Sequence, residues 1–179
     1  MSHRVLKELT DLLSSLSIFT WGIADISGFH PLSAEYPNAL SIMVSYEPKF
    51  RIYSETKYHH LLETVSAQIN VATSAISDYL QSARIKHYCI PQGGQDPKTL
   101  LAAFPHKLAA VRAGLGWIGK SSLLVTQQCG PRVRLATLLI DFDVPCNEPM
   151  TTSKCGECMI CVKACPYDCI KGVNWFPGI

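Results

Sequence analysis

At 179 residues and 47% hydrophobic, the chain has material for one domain of ordinary size, with room for a small appendage. No run approaches the roughly 18 apolar residues that span a bilayer, and a formal net charge of +2 is too small to argue for nucleic acid or an anionic membrane. Eight cysteines, five of them packed between Cys155 and Cys169, exclude the spread framework of a secreted disulfide protein and point to a reduced cytoplasm and a metal site.

Val5, Leu6, Leu9, Leu12, Leu13 and Leu16 recur at helical spacing and predict an amphipathic helix over residues 2 to 17. Asp and Glu stand among these leucines and no small-residue cleavage site follows, so the segment reads as helix and not as an export signal. Short apolar runs predict strands at Ile18 to Ile26, bounded by Ser27-Gly28, and at Ala39 to Tyr46, ended by Pro48. From Lys57 to Ala83 the chain lacks Gly and Pro, and Leu61, Leu62, Val65, Ile69, Ala72, Ile76 and Leu80 mark one face of a long helix. Tyr58, His59 and His60 open that helix as packing and surface, because adjacent helical residues diverge by about 100° and do not share one ion.

Ile85 to Ile90 predicts a strand, closed by the loop Pro91 to Gln95, and a helix is expected over about 98 to 113 with Leu100, Leu101, Leu108 and Val111 inward. Ser122 to Thr126 and Val133 to Ile140 predict two more strands, separated by Gly130-Pro131 and expected to pair as a hairpin. Arg132 and Arg134 alternate on one face of the second of these, which reads as a solvated face. Cys89 and Cys129 lie in apolar surroundings and read as inert. Beyond Pro145 the composition turns to Cys, Lys, Gly and Pro, which places a boundary there between residues 1–145 and a small segment, 146–179.

The stretch GLGWIGKSS, residues 114 to 122, satisfies two phosphate-binding patterns at once. Gly114, Gly116 and Gly119 fit G-x-G-x-x-G, while Gly114, Gly119, Lys120 and Ser121 fit G-x-x-x-x-G-K-S. Both patterns need a strand running in and a helix running out, since the helix N-terminus supplies the anion donors. Here the order is reversed, which argues against a nucleotide. Two readings remain: a helix C-terminal turn in which glycine accepts positive φ, or a close backbone approach to a bulky ligand with Trp117 and Lys120 projecting toward it.

CGECMICVKACP places Cys155, Cys158, Cys161 and Cys165 as C-x2-C-x2-C-x3-C-P, the bacterial ferredoxin run. Thiolates are soft donors matched to iron and sulfide. Zinc sites instead separate two C-x2-C pairs by a longer loop, so a zinc-binding structural module is the lesser reading. Cys165 belongs by its position with a second cluster, yet no second cysteine run follows. A truncated chain is expected on that ground, with Cys169 or Cys146 as alternative donors of the missing ligand. His106, just after Phe104-Pro105 and eight residues before Gly114, is the candidate proton donor. Its plainer reading is a solvated or capping histidine.

HKLAAVRAGLGWIGKSSLLVT, then GPRVRLATLLID, then the ferredoxin run together resemble the epoxyqueuosine reductase family, and in particular its shorter relatives with a double four-iron cluster domain. The resemblance implies an α+β fold, a mixed sheet with flanking helices similar to flavin-reductase and cobalamin-processing domains, followed by a small ferredoxin-like segment. It further implies that the GLGWIGK segment (Gly114, Gly116, Trp117, Gly119, Lys120) lines a cobalamin and that the cysteines ligate 4Fe-4S clusters. Electrons from a donor such as a ferredoxin or flavodoxin would pass through the clusters to the cobalt and on to a small-molecule substrate. Reductive dehalogenases share the layout. The chain departs from the members that act on tRNA: LLAAFPHKLAA lacks the carboxylate they carry before the corresponding helix, and a second cysteine run and a C-terminal repeat domain are missing. These departures disfavour a tRNA partner. The alternative from another class is a non-catalytic electron carrier or scaffold.

Overall fold

The computed structural model describes residues 2–46, 54–93, 102 and 104–173. Its centre is a four-stranded sheet in the order β1 (Thr20–Asp25), β2 (Asn38–Ser45), β6 (Val133–Ile140), β3 (His87–Cys89). Every neighbouring pair is antiparallel, so the α+β expectation holds while the sheet is not mixed. Register follows the alternation of side chains across the pleat. Leu40, Ile42 and Val44 of β2, with Ala136, Leu138 and Ile140 of β6, join one core cluster, whereas Ala39 and Leu139 join a second.

The first cluster is closed by α1 (Ser2–Ser15) and α2 (Glu55–Ser82). Val65, Ile69, Ala72, Ile76 and Leu80, spaced three and four apart, are buried along α2, and Leu9 and Leu13 are buried on α1. Ser54 caps α2 by accepting from the Lys57 N–H, and Glu55 stands in its first turn where the helix dipole favours a carboxylate. Each fully buried Leu or Ile here contributes about 1.5–3 kcal/mol of transfer free energy.

The second face carries α3 (His106–Arg112), which is shorter than the expected 98–113 helix. Pro105 takes the N-cap position and Phe104 lies in a bend, buried between the rings of His30 and His106. Leu100 and Leu101 fall outside the described residues. The end of α3 seats directly on β1 because Gly22 has no side chain: a Cβ there would stand 2.5 Å from the Ala113 carbonyl oxygen.

The expected hairpin between the last two strands does not form. β5 (Leu124–Val125) pairs instead with β4 (Trp117–Ile118), inside the glycine segment, through a turn in which the Gly119 and Leu123 backbones bond at 2.9 Å. β6 is an eight-residue apolar strand whose last five residues are buried, and a two-residue partner cannot cover it. It enters the middle of the sheet, between β2 and β3, after the turn closed by the Thr126–Gly130 bridge. No described helix is long and apolar enough to cross a membrane.

Candidate metal and cofactor site

The route to the site starts at the free edge of β1. The Ile23 N–H donates to Asn147 Oδ1 and the Ile23 carbonyl accepts from the Asn147 N–H, each at 2.8 Å. One asparagine thus completes both hydrogen-bonding groups of an edge residue that would otherwise lie open. Three residues on, the Met150 N–H bonds the Val111 carbonyl at 2.9 Å. Gly114 (φ 72°) passes beside the same segment, where a Cβ would meet the Glu148 carbonyl oxygen at 2.8 Å. The tail is thereby laid across the end of α3 and delivered to the β4–β5 hairpin.

At the hairpin, the glycine segment and the cysteine segment touch. The Trp117 indole N–H donates to Cys155 Sγ at 3.4 Å. Burial alone would push the Cys155 thiol up, but hydrogen bonds from the Trp117 indole, the Lys120 backbone N–H and Ser153, with the Lys120 charge nearby, hold it below the ordinary thiol value. Gly119 leaves room for this approach, since a Cβ there would lie 3.4 Å from Cys155 Sγ and 2.7 Å from the Val125 side chain. Lys120 Nζ spans the next residues of the run. It donates to the Gly156 carbonyl at 2.8 Å and the Cys158 carbonyl at 3.1 Å, and lies 3.6 Å from Met159 Sδ.

Cys158 is exposed, whereas Cys161 and Cys165 are half-buried like Cys155. Cys155 and Cys158 are joined by a turn (Cys158 N–H to the Cys155 carbonyl, 3.0 Å), and Cys161 lies in the single-turn helix α4 (Ile160–Lys163). Cys165 stands apart with Cys169, Sγ to Sγ 3.3 Å. Its thiol is pulled down to about 7 by the Cys169 backbone N–H and thiol and by the Tyr167 N–H, while Cys169 moves up because of Cys165. Cys146 turns the other way, its Sγ against Asn38 Oδ1 (3.3 Å) and the Val144 carbonyl. Among the described residues no three Cys, His, Asp or Glu side chains are gathered closely enough to hold a metal ion. The donor set nevertheless fits an iron–sulfur cluster in chemistry: thiolates only, on a turn, with N–H donors aimed at the first of them.

Beside the glycine segment lies a hollow of about 530 Å³ lined by Phe19, Thr20, Gly114, Leu115, Gly116, Gln127, Gln128, Met150 and Lys154, within the size range of small-molecule sites. Gly114 and Gly116 therefore face the hollow, while Trp117, Gly119 and Lys120 meet the cysteines. His106 lines neither. Its Nδ1 pairs with Thr137 Oγ1 at 2.9 Å across the sheet face, and burial, partly offset by a hydrogen bond with the Pro91 backbone, lowers its pKa. Cys89 is half-buried and its thiol is pushed up by burial, as an inert core thiol is. Motif reading passed over Asn147, Ser153 and Lys154, which reach this region through the tail's path along β1 and α3, and Gln127 and Gln128, which reach it from the turn after β5.

The 4Fe-4S binding domain family matches residues 150–171, the segment built around the cysteine run. Fold and site together define a class: an α+β body with an iron–sulfur binding segment laid against one face. Within that class the chain is similar over part of its length to epoxyqueuosine reductases. It is 45% identical over 69 residues to the epoxyqueuosine reductase of Cyclobacterium marinum and 44% identical over 64 residues to that of Cellulophaga algicola. Those stretches are 38% and 36% of this chain, but only 22% and 21% of the relatives. Among solved structures, the reductase from Streptococcus thermophilus superposes with a TM-score of 0.64 at 17% identity, covering 97% of this chain and 55% of that one. A reductase crystallised with an epoxyqueuosine-modified tRNA-Tyr stem loop gives 0.67 at 18% identity over 95% of this chain and 54% of that one. A catabolic reductive dehalogenase gives 0.74 at 14% identity over 93% and 26%. These structural likenesses establish the fold, and the chain spans little more than half of either reductase structure.

Proposed function

We propose that the chain is an iron–sulfur oxidoreductase domain in which residues 146–179 hold a 4Fe-4S cluster and residues 1–145 hold the electron acceptor. The observation that carries this reading is the two-sided glycine segment. Trp117 and Lys120 touch the cysteine loop, and Gly114 and Gly116, three and one residues before Trp117, line the hollow. A single stretch of backbone therefore separates donor from acceptor, the arrangement short-range electron transfer needs.

Cys155, Cys158 and Cys161 are the ligands of the first cluster, and Cys165 faces a second. When bound, such a cluster supplies one-electron storage and a corrinoid supplies a reducible cobalt. The hollow offers a corrinoid the amides of Gln127 and Gln128 for the amide fringe of such a ring, while the bare faces of Gly114 and Gly116 are taken up by the Glu148 and Val125 carbonyl oxygens. The reductive dehalogenase neighbours include one whose structure is described as suggesting a mechanism for B12-dependent dehalogenation, which supports the same cofactor class here. A donor such as a ferredoxin or flavodoxin would meet the cysteine segment on its open side, where Ile160 and Tyr167 are 76% and 87% exposed. The thiolates call for a reducing compartment, the cytoplasm. A tRNA substrate is the weaker option, since residues 100–110 contain no carboxylate.

The test is anaerobic reconstitution of the chain with iron and sulfide, followed by titration with hydroxocobalamin and, separately, with FMN. The reading predicts saturable corrinoid binding that weakens on Gln128→Ala. Iron uptake with no binding of either cofactor would assign the chain as an electron carrier instead.

A further inference from the structure

We infer that the hairpin residues Trp117 and Lys120 are positioning residues that set the reduction potential of the cluster held by Cys155, and that this is the role of the W-x-x-K half of the glycine motif. The inference rests on the proposed cluster and says what its protein environment does. Cys155 receives the Trp117 indole N–H at 3.4 Å together with the Lys120 backbone N–H, and Gly119 between them carries no side chain to hold the sulfur away. Two donors from residues 117 and 120 reach one sulfur because the two-residue strand β4 ends at Ile118 and the chain turns at Gly119 to Ser122. The Lys120 ammonium is then held over the same loop by the Gly156 and Cys158 carbonyls.

The consequence is electrostatic. Reduction adds one negative charge to a cluster and its thiolates. N–H donors aimed at a ligating sulfur, and a fixed cation nearby, stabilise the more negative reduced state more than the oxidised one, so both raise the potential. Carbonyl bonds from Lys120 also order the loop between Cys155 and Cys158 before it closes on iron. The same pair explains why a phosphate-like lysine sits where no helix N-terminus exists to bind phosphate.

The experiment uses the whole chain, reconstituted anaerobically, and reads iron and sulfide content beside the midpoint potential from an EPR-monitored redox titration. Trp117→Phe keeps the ring and removes the donor. It is expected to retain iron and to lower the reduced-to-oxidised ratio at fixed potential about tenfold, about 59 mV for one electron. Lys120→Met is expected to shift the couple in the same direction, and Lys120→Arg to restore it. In the unsubstituted protein labelled with 15N-indole tryptophan, at least one indole N–H should show a hyperfine shift. Unchanged potentials in iron-replete variants, or no shifted indole, overturn the inference and leave the cluster assignment standing. Failure of the unsubstituted chain to take up iron and sulfide overturns both.

Discussion

Cys155 and His106 show how differently two residues picked out by motif can stand. Cys155 is held below the ordinary thiol value by donors from the hairpin and from Ser153, which favours its thiolate form. His106 is half-buried, bonded to Thr137, and its pKa lies below the ordinary histidine value through burial. A base whose folded pKa is depressed favours the folded state fully above its unfolded value, near 6.5, and loses that contribution as pH falls through the folded one. Urea midpoints are therefore expected to fall as pH drops below about 6.5, and His106→Gln should flatten that dependence while costing about 1–2 kcal/mol at neutral pH. Cluster content should not change. Loss of the cluster at unchanged stability would instead give His106 a place in the site. The residue types were legible in the sequence: C-x2-C-x2-C-x3-C-P named its own chemistry. The directions of Trp117 and Lys120 were not, because they depend on the register of a two-residue strand that carries no periodicity of its own.

At the scale of elements, long periodic segments were legible and short ones were not. The α2 face from Val65 to Leu80 and all eight residues of β6 could be read from spacing alone, since burial on one face or on both imposes it. The partner of β6 could not. Val133 to Ile140 and Ser122 to Thr126 are neighbours in sequence, yet the larger gain comes from burying the long strand at the sheet centre. The start of α3 was likewise hidden, because the apolar spacing runs back through Pro105 while the helix begins after it. Asn147 is the least legible feature: one side chain that closes the β1 edge and aims the tail at the hairpin. Asn147→Ala should cost about 1–3 kcal/mol and raise hydrogen exchange at the Ile23 amide, with exchange at β6 amides unchanged. Protection of Ile23 equal to that in the unsubstituted chain would show that another group covers the edge.

The whole molecule is a sheet with a different task on each face. The α1–α2 side is an apolar core with α2 as its backing, and among the described residues neither helix lines the hollow. The opposite side carries α3, with the β4–β5 hairpin and the tail beside it. The fold match extends over 97% of the chain, and the two curated reductases compared agree with it at 45% and 44% identity over 38% and 36% of its length. A core face tolerates substitution if volume and pattern are kept, whereas a site that aims donors at sulfur does not. The proposed electron transfer requires the tail to hold iron with inorganic sulfide against the Trp117–Lys120 hairpin. The direct measurement is an anaerobic count of iron and acid-labile sulfide in the reconstituted chain, with Cys158→Ser in parallel. Iron and sulfide in equal amounts, with visible charge-transfer absorption that the serine variant loses, is the expected result. A colourless protein binding zinc in stoichiometric amount and no sulfide would contradict it.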